Sequence, residues 1–196
     1  MRGLSERFTA AVAAIDAANA GDPTTVDVRG ATRPLALAHG ELAAEWIGQL
    51  LDEPDEAVLL AARAHHLRRW EVPRSSYPDG RPGYLRWRRD QKARHAADVA
   101  AILRDAGYED DDIARVQTLI RREHLATDAD TQAVEDAACL VFIETQLAGI
   151  EGRFEHEHLL EVIRKTARKM SPKAIGLIAT MPLPQRAADL LAEALA

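Results

Sequence analysis

Where this sequence is apolar, it is apolar at intervals of three and four residues, and no stretch alternates apolar with polar over the length of a strand. That pattern restricts the chain to packed helices. Ala, Leu, Glu and Arg, all strong helix formers, fill the periodic segments, while aromatic residues make up only 5% of the chain. Helices are predicted at about Gly3 to Ala20, Pro34 to Leu51, Asp55 to Arg69, Gly83 to Ala106, Asp110 to Leu125, Asp130 to Ile150, Glu157 to Met170, Pro172 to Thr180 and Pro184 to Ala196. Breakers separate them at Gly21-Asp22-Pro23, Asp52-Glu53-Pro54, Pro73 to Pro82, Gly107, Thr127-Asp128 and Met181 to Pro184. The expectation is an all-α fold without strands. At 196 residues, with no repeat and no shift of composition, it is expected to be one domain over 1–196, with its core at about 34–150 and C-terminal helices at about 155–196. No charged-then-apolar leader opens the sequence and no apolar run approaches the roughly 20 residues that cross a bilayer, so a cytoplasmic protein with no membrane partner is expected. The single cysteine, Cys139, sits in an apolar run and reads as a buried, inert thiol.

Five of the seven histidines fall at core-facing places in these helices. His39 follows Leu35 by four residues and precedes Ala43, Trp46 and Leu50; His65, next to His66, follows Ala61; His95 precedes Val99 and Ile102; His124 extends the stripe Ile113, Val116, Ile120. Asp136 lies among Cys139, Leu140 and Ile143, where an unpaired carboxylate is costly. Each alone reads as a hydrogen-bonded core residue. Together, imidazoles and a carboxylate on separate helices are satisfied most simply by one divalent metal or two, with ligands projecting inward from facing helices. His156 and His158, in the polar run Glu155-His156-Glu157-His158, read as solvated surface.

In chain order the elements are His39, then Ala61-Ala62-Arg63-Ala64-His65-His66-Leu67, then His95 with Asp98 to Leu103, then Val116 to His124, then Glu135-Asp136-Ala137. This order resembles the histidine–aspartate (HD) phosphohydrolase superfamily: a first helix histidine, an "AALLHD" helix end, further histidines and a late helix aspartate. The resemblance covers about Leu35 to Ile143 and implies an HD-domain-like helical bundle with a metal-dependent phosphohydrolase site. The whole chain, including Trp70 to Trp87 and Lys169-Met170-Ser171-Pro172, also resembles an uncharacterised family catalogued as domain of unknown function 4202, a label that carries no activity.

One departure matters. His66 stands where the HD pattern has its aspartate, and an imidazole has one lone pair and cannot bridge two ions. The resemblance then leaves three outcomes: one metal on a subset such as His39, His65, His66 and Asp136; two metals with Glu123 supplying a carboxylate; or a decayed site. A histidine-rich shell suits Zn, Fe, Mn, Co or Ni better than Mg or Ca. His95, His124 and Glu123 would complete a second metal site or serve as acid, base or phosphate contact.

The net charge of −6 makes the chain a poor general partner for nucleic acid, but its positive charge is concentrated: Arg63 to Arg94 holds ten Lys/Arg against three acids. Within that segment Arg69, Trp70, Arg74, Tyr77, Arg81, Tyr84, Trp87 and Arg88 combine phosphate-matching guanidiniums with flat faces for a ring, as a basic aromatic loop inserted between the ligand groups. The expected function is hydrolysis of a nucleotide or related phosphate ester. Two alternatives are an HD-type di-iron oxygenase, whose six-ligand pattern the set His39, His65, His66, His95, His124 and Asp136 also resembles, and a non-catalytic RNA- or phosphate-binding module.

Overall fold

A computed structural model of the chain describes residues 4–150 and 155–195; Gly3 and Ala196, the outer limits expected for the first and last helices, lie outside them. The described chain is mostly helical: α1 (Glu6–Asn19), α2 (Leu35–Leu50), α3 (Glu56–Arg63), α4 (Gly80–Asp105), α5 (Asp110–Arg121), α6 (Ala129–Thr145), α7 (Leu147–Ile150), α8 (His156–Ala167), α9 (Pro172–Ile178) and α10 (Gln185–Leu195). Several starts are set by side chains that accept from otherwise unpaired first-turn N–H groups: Ser5 from Phe8, Asp55 from Val58, Asp128 from Asp130 and Thr131, and Ser171 from Ala174. None of the described helices is long and apolar enough to cross a membrane.

The expectation of no strands is corrected by an antiparallel hairpin, β1 (Thr25–Val28) with β2 (Ala31–Pro34), in register Val28↔Ala31 to Thr25↔Pro34. Its two-residue turn, Arg29-Gly30, places both residues at positive φ, 49° and 85°, which matches the twist of the strands. Arginine at the first position carries no turn signal, and four-residue strands are too short to show sustained alternation.

Four helix limits also differ from expectation. α3 stops at Arg63 rather than Arg69, because the His65 ring N–H donates to the Ala62 carbonyl at 2.7 Å, an acceptor that a continuing helix would give to the His66 N–H. α4 begins at Gly80, not Gly83, and so takes in Gly80, Arg81 and Pro82 of the expected loop; Pro82 is tolerated in a first turn whose N–H groups lack partners anyway. α5 ends at Arg121, where Arg122 turns left-handed (φ 62°). The long helix expected to Ile150 breaks at Gln146 into α6 and α7.

One apolar cluster runs through the fold, from Ala11 and Ile15 of α1 to Leu190, Leu191 and Ala194 of α10. At its centre α2 packs on α3 and α6, while α5 covers α3 and α4. Gly40 makes the α2–α3 contact possible: a Cβ there would stand 2.5 Å from the Arg63 carbonyl oxygen. Its neighbour His39 is thereby carried against the end of α3, where His65 and His66 sit. Gly40→Ala should therefore lower the unfolding free energy by about 1–3 kcal/mol through overpacking, measured by urea denaturation; an unchanged midpoint would show that the two backbones are not this close.

Candidate functional site

Four imidazoles meet where α2, the turn after α3 and α4 come together. The ring centroids of His39 and His66 are 5.3 Å apart, those of His65 and His66 4.1 Å, and those of His66 and His95 6.4 Å. Their hydrogen bonds fix which nitrogen carries each proton. The Thr145 hydroxyl donates to the Val141 carbonyl at 2.7 Å, so toward His39 Nε2, 3.1 Å away, it can only accept. His39 is then protonated at Nε2, and its Nδ1 accepts from His66 Nδ1 at 3.1 Å. That leaves the lone pair of His66 on Nε2. His65 likewise donates through Nδ1 to a carbonyl and keeps its lone pair on Nε2, which is buried and without a hydrogen bond. His95 makes no hydrogen bond through either ring nitrogen, although the nearby Leu67 carbonyl favours its protonated form slightly.

Burial keeps these rings neutral. It pushes His39 down to about 4 and His95 down to about 3, with the Arg69 charge adding to both, and it holds His65 and His66 well below the ordinary histidine range. A ring with so low a pKa is a poor general base, since proton transfer needs a pKa near the working pH, but it is a good lone-pair donor.

His65, His66 and His95 line a cavity of about 300 Å³. Its other walls carry five cationic side chains, Arg69, Arg88, Lys92, Arg122 and Lys169, and one carboxylate, Glu135. Arg122 is held in place by Glu135 at 3.0 Å and by the Leu119, Ile120 and Val134 carbonyls, which lets it close the end of α5. Burial and the neighbouring cations push Lys92 down to about 8 and Arg69 to about 10, Arg122 acting on the first and Arg88 on the second. A second cavity, of about 180 Å³, shares His66, Arg69 and Gln146 with the first and is otherwise lined by residues such as Leu35, Ala36, Trp70, Pro73 and Trp87.

Three of the expected site residues lie elsewhere. His124 is exposed at φ 61°, beyond the left-handed turn at Arg122 that ends the α5 stripe. Glu123 is exposed and pairs loosely with Arg121 at 3.9 Å. Asp136 is buried, but on the other side of α6: its Oδ1 accepts from the Ser171 N–H and the Gln132 amide, both at 2.9 Å, and so holds the start of α9. The cavity-facing line of α6 is Glu135, Ala138, Cys139 and Phe142, and Asp136 stands about 100° round the helix from Glu135. Cys139 is buried, with its thiol pushed up to about 12, as an inert cysteine should be.

The basic segment divides the same way. Arg69, Tyr84 and Arg88 line the cationic cavity, and Trp70 and Trp87 the second one. Arg74 is spent on the Tyr77, Pro78 and Gly80 carbonyls, Tyr77 donates to Asp90, and Arg81 is exposed. Sequence reasoning missed Lys92, Arg122, Glu135 and Lys169. For Lys92 a signal was present, because it lies four residues after Arg88 and three before His95 on one helix face.

The donor chemistry suits a transition ion: unprotonated imidazoles lining a cavity, two of them each held in one tautomer by a carbonyl or a neighbouring ring, and unpaired ring nitrogens on His65 and His95. The spacing is less complete, since among the described residues no three His, Cys, Asp or Glu side chains form a group that could hold a metal as placed.

The sequence matches the family described as "Domain of unknown function (DUF4202)" over residues 9–191. The chain belongs to this family. No curated protein matches it, and no solved structure does. Family membership thus extends across the fold from α1 to α10 and covers the imidazole cluster and both cavities, without bringing an activity with it.

The buried rings give the metal-free protein a definite pH response. His39 and His95 have folded pKa values below the unfolded value of about 6.5, so between those limits the unfolded chain binds more protons and stability rises with pH. Unfolding free energy should be greatest above about pH 6.5 and fall by roughly 1.4 kcal/mol per pH unit for each such histidine as pH drops toward 4. Urea midpoints in chelating buffer measure this; a flat profile from pH 7 to 4.5 would show the rings to be solvated.

Proposed function

We propose that this protein hydrolyses a phosphate ester, a nucleotide or related small phosphorylated molecule, with a divalent transition metal, and that its helices form an HD-type domain. The observation that carries the reading is the shared cavity: His65, His66 and His95, two of them with unpaired ring nitrogens, line the same space as five cationic side chains. Cations around a cavity neutralise a phosphoryl group as charge shifts onto its oxygens, and Arg69, Arg88 and Lys92 are the ones that take that role here. The flat part of the substrate goes to the neighbouring cavity beside Trp70 and Trp87. Water attacks phosphorus, the ester P–O bond breaks, and the alcohol leaves with a proton.

His65, His66 and His95 would hold a single zinc, iron, manganese, cobalt or nickel ion, which would make water easier to deprotonate near neutral pH. His39 acts behind them by fixing the tautomer of His66. One ion is favoured over two, since Asp136 is committed to Ser171 and Gln132 and Glu135 to Arg122, which leaves no carboxylate to bridge. The same commitments, with His124 exposed, favour the hydrolase over a six-ligand di-iron oxygenase. A second reading, a phosphate-binding module without catalysis, is favoured by the lack of a three-residue metal group among the described residues. RNA is a weaker partner for it, because the cations are drawn into a cavity rather than spread along a surface.

Purified protein loaded in turn with each of these metals, and tested against a nucleotide panel, should release phosphate with at least one of them. His65→Ala should reduce that release by about 100-fold. No release with any metal, together with chelator-insensitive phosphate binding, would favour the binding module.

A further inference from the structure

The cationic cavity is unevenly compensated. Glu135 is its one carboxylate, and it is committed to Arg122 at 3.0 Å and Lys169 at 3.9 Å. Arg69, Arg88 and Lys92 have no carboxylate within ion-pair distance among the described residues. Arg69 instead lies over the Trp87 ring, 4.4 Å from its centroid, and Arg88 over Tyr84 at 5.8 Å. Stacking of this kind steadies a guanidinium by its face and leaves its N–H edge free for a ligand. Arg88 and Lys92 are also one helical turn apart on α4, so both project from the same helix face onto one wall of the cavity. Burial first and the neighbouring cations second lower both Lys92 and Arg69.

A single phosphate ester brings about −1.5 to −2, less than three unpaired cations call for. A second phosphoryl group adds charge and length together. We infer that the cationic cavity is built for a phosphate chain, so that the substrate carries a diphosphate or longer group rather than a monophosphate, with Lys92 and Arg88 as its specificity-determining contacts. This deepens the phosphohydrolase reading and rests on that reading's assignment of the cavity to phosphate.

Calorimetric titration of the metal-free protein with orthophosphate, pyrophosphate and tripolyphosphate, at one ionic strength, tests it. Pyrophosphate and tripolyphosphate should bind at least about tenfold more tightly than orthophosphate. Lys92→Gln and Arg88→Gln should each cut that preference to about threefold or less, and Lys92→Arg should retain it; melting curves check that each variant is folded. Orthophosphate binding as tight as pyrophosphate would overturn the inference. Turnover of monophosphates without any pyrophosphate preference would remove it and leave the hydrolase reading standing, whereas a pyrophosphate preference without turnover under any metal would support it and count against that reading.

Discussion

Neutral imidazoles, taken out of water together, are the constraint on which the rest of this structure turns. His39, His65 and His95 are almost fully buried, and a charged ring there would face desolvation and a guanidinium as well, Arg69 for His39 and His95 and Arg122 for His65. The fold gives three of the four rings an acceptor for the N–H: Thr145 for His39, His39 for His66, the Ala62 carbonyl for His65. What remains unsatisfied is His65 Nε2 and both ring nitrogens of His95, and unsatisfied buried groups of that kind are expensive unless something fills them.

Backbone features far from any chemistry set up this arrangement. Gly40 lets α2 touch the last turn of α3, the early end of α3 turns His65 and His66 inward, and the left-handed turn at Arg122 lets a guanidinium rather than a histidine close the end of α5. Arg122 and Glu135 are nearly buried as a pair, with side chains 7% and 10% exposed, so losing either partner would strand the other charge. The same pair orients the cationic cavity, which means that stability and electrostatics at this site cannot be changed independently.

Much of this was legible in the sequence, and what was not has identifiable causes. Helical periodicity located the helices, and the apolar neighbours of His39, His65 and His95 marked those rings as inward. His124 misled because its stripe is real up to Ile120, and the turn at Arg122 that breaks it depends on a tertiary contact with α6. Asp136 misled because α6 is buried on most of its faces, including Val134, Glu135, Asp136 and Ala137, so that burial gives no phase and one residue's error is about 100° of rotation. The hairpin escaped because Arg29-Gly30 lacks a turn signature and its strands span four residues each. Lys92 was overlooked among many cations, although its spacing from Arg88 and His95 placed it on the same face.

The account stands on the protonation pattern of the cluster, and long-range 1H–15N correlation spectra of the histidine rings in metal-free protein at neutral pH read that pattern directly. His65 and His66 should appear as neutral rings protonated at Nδ1, and His39 as a neutral ring protonated at Nε2. Charged rings, or averaged tautomers in fast exchange with water, would contradict it and take the assembled site with them.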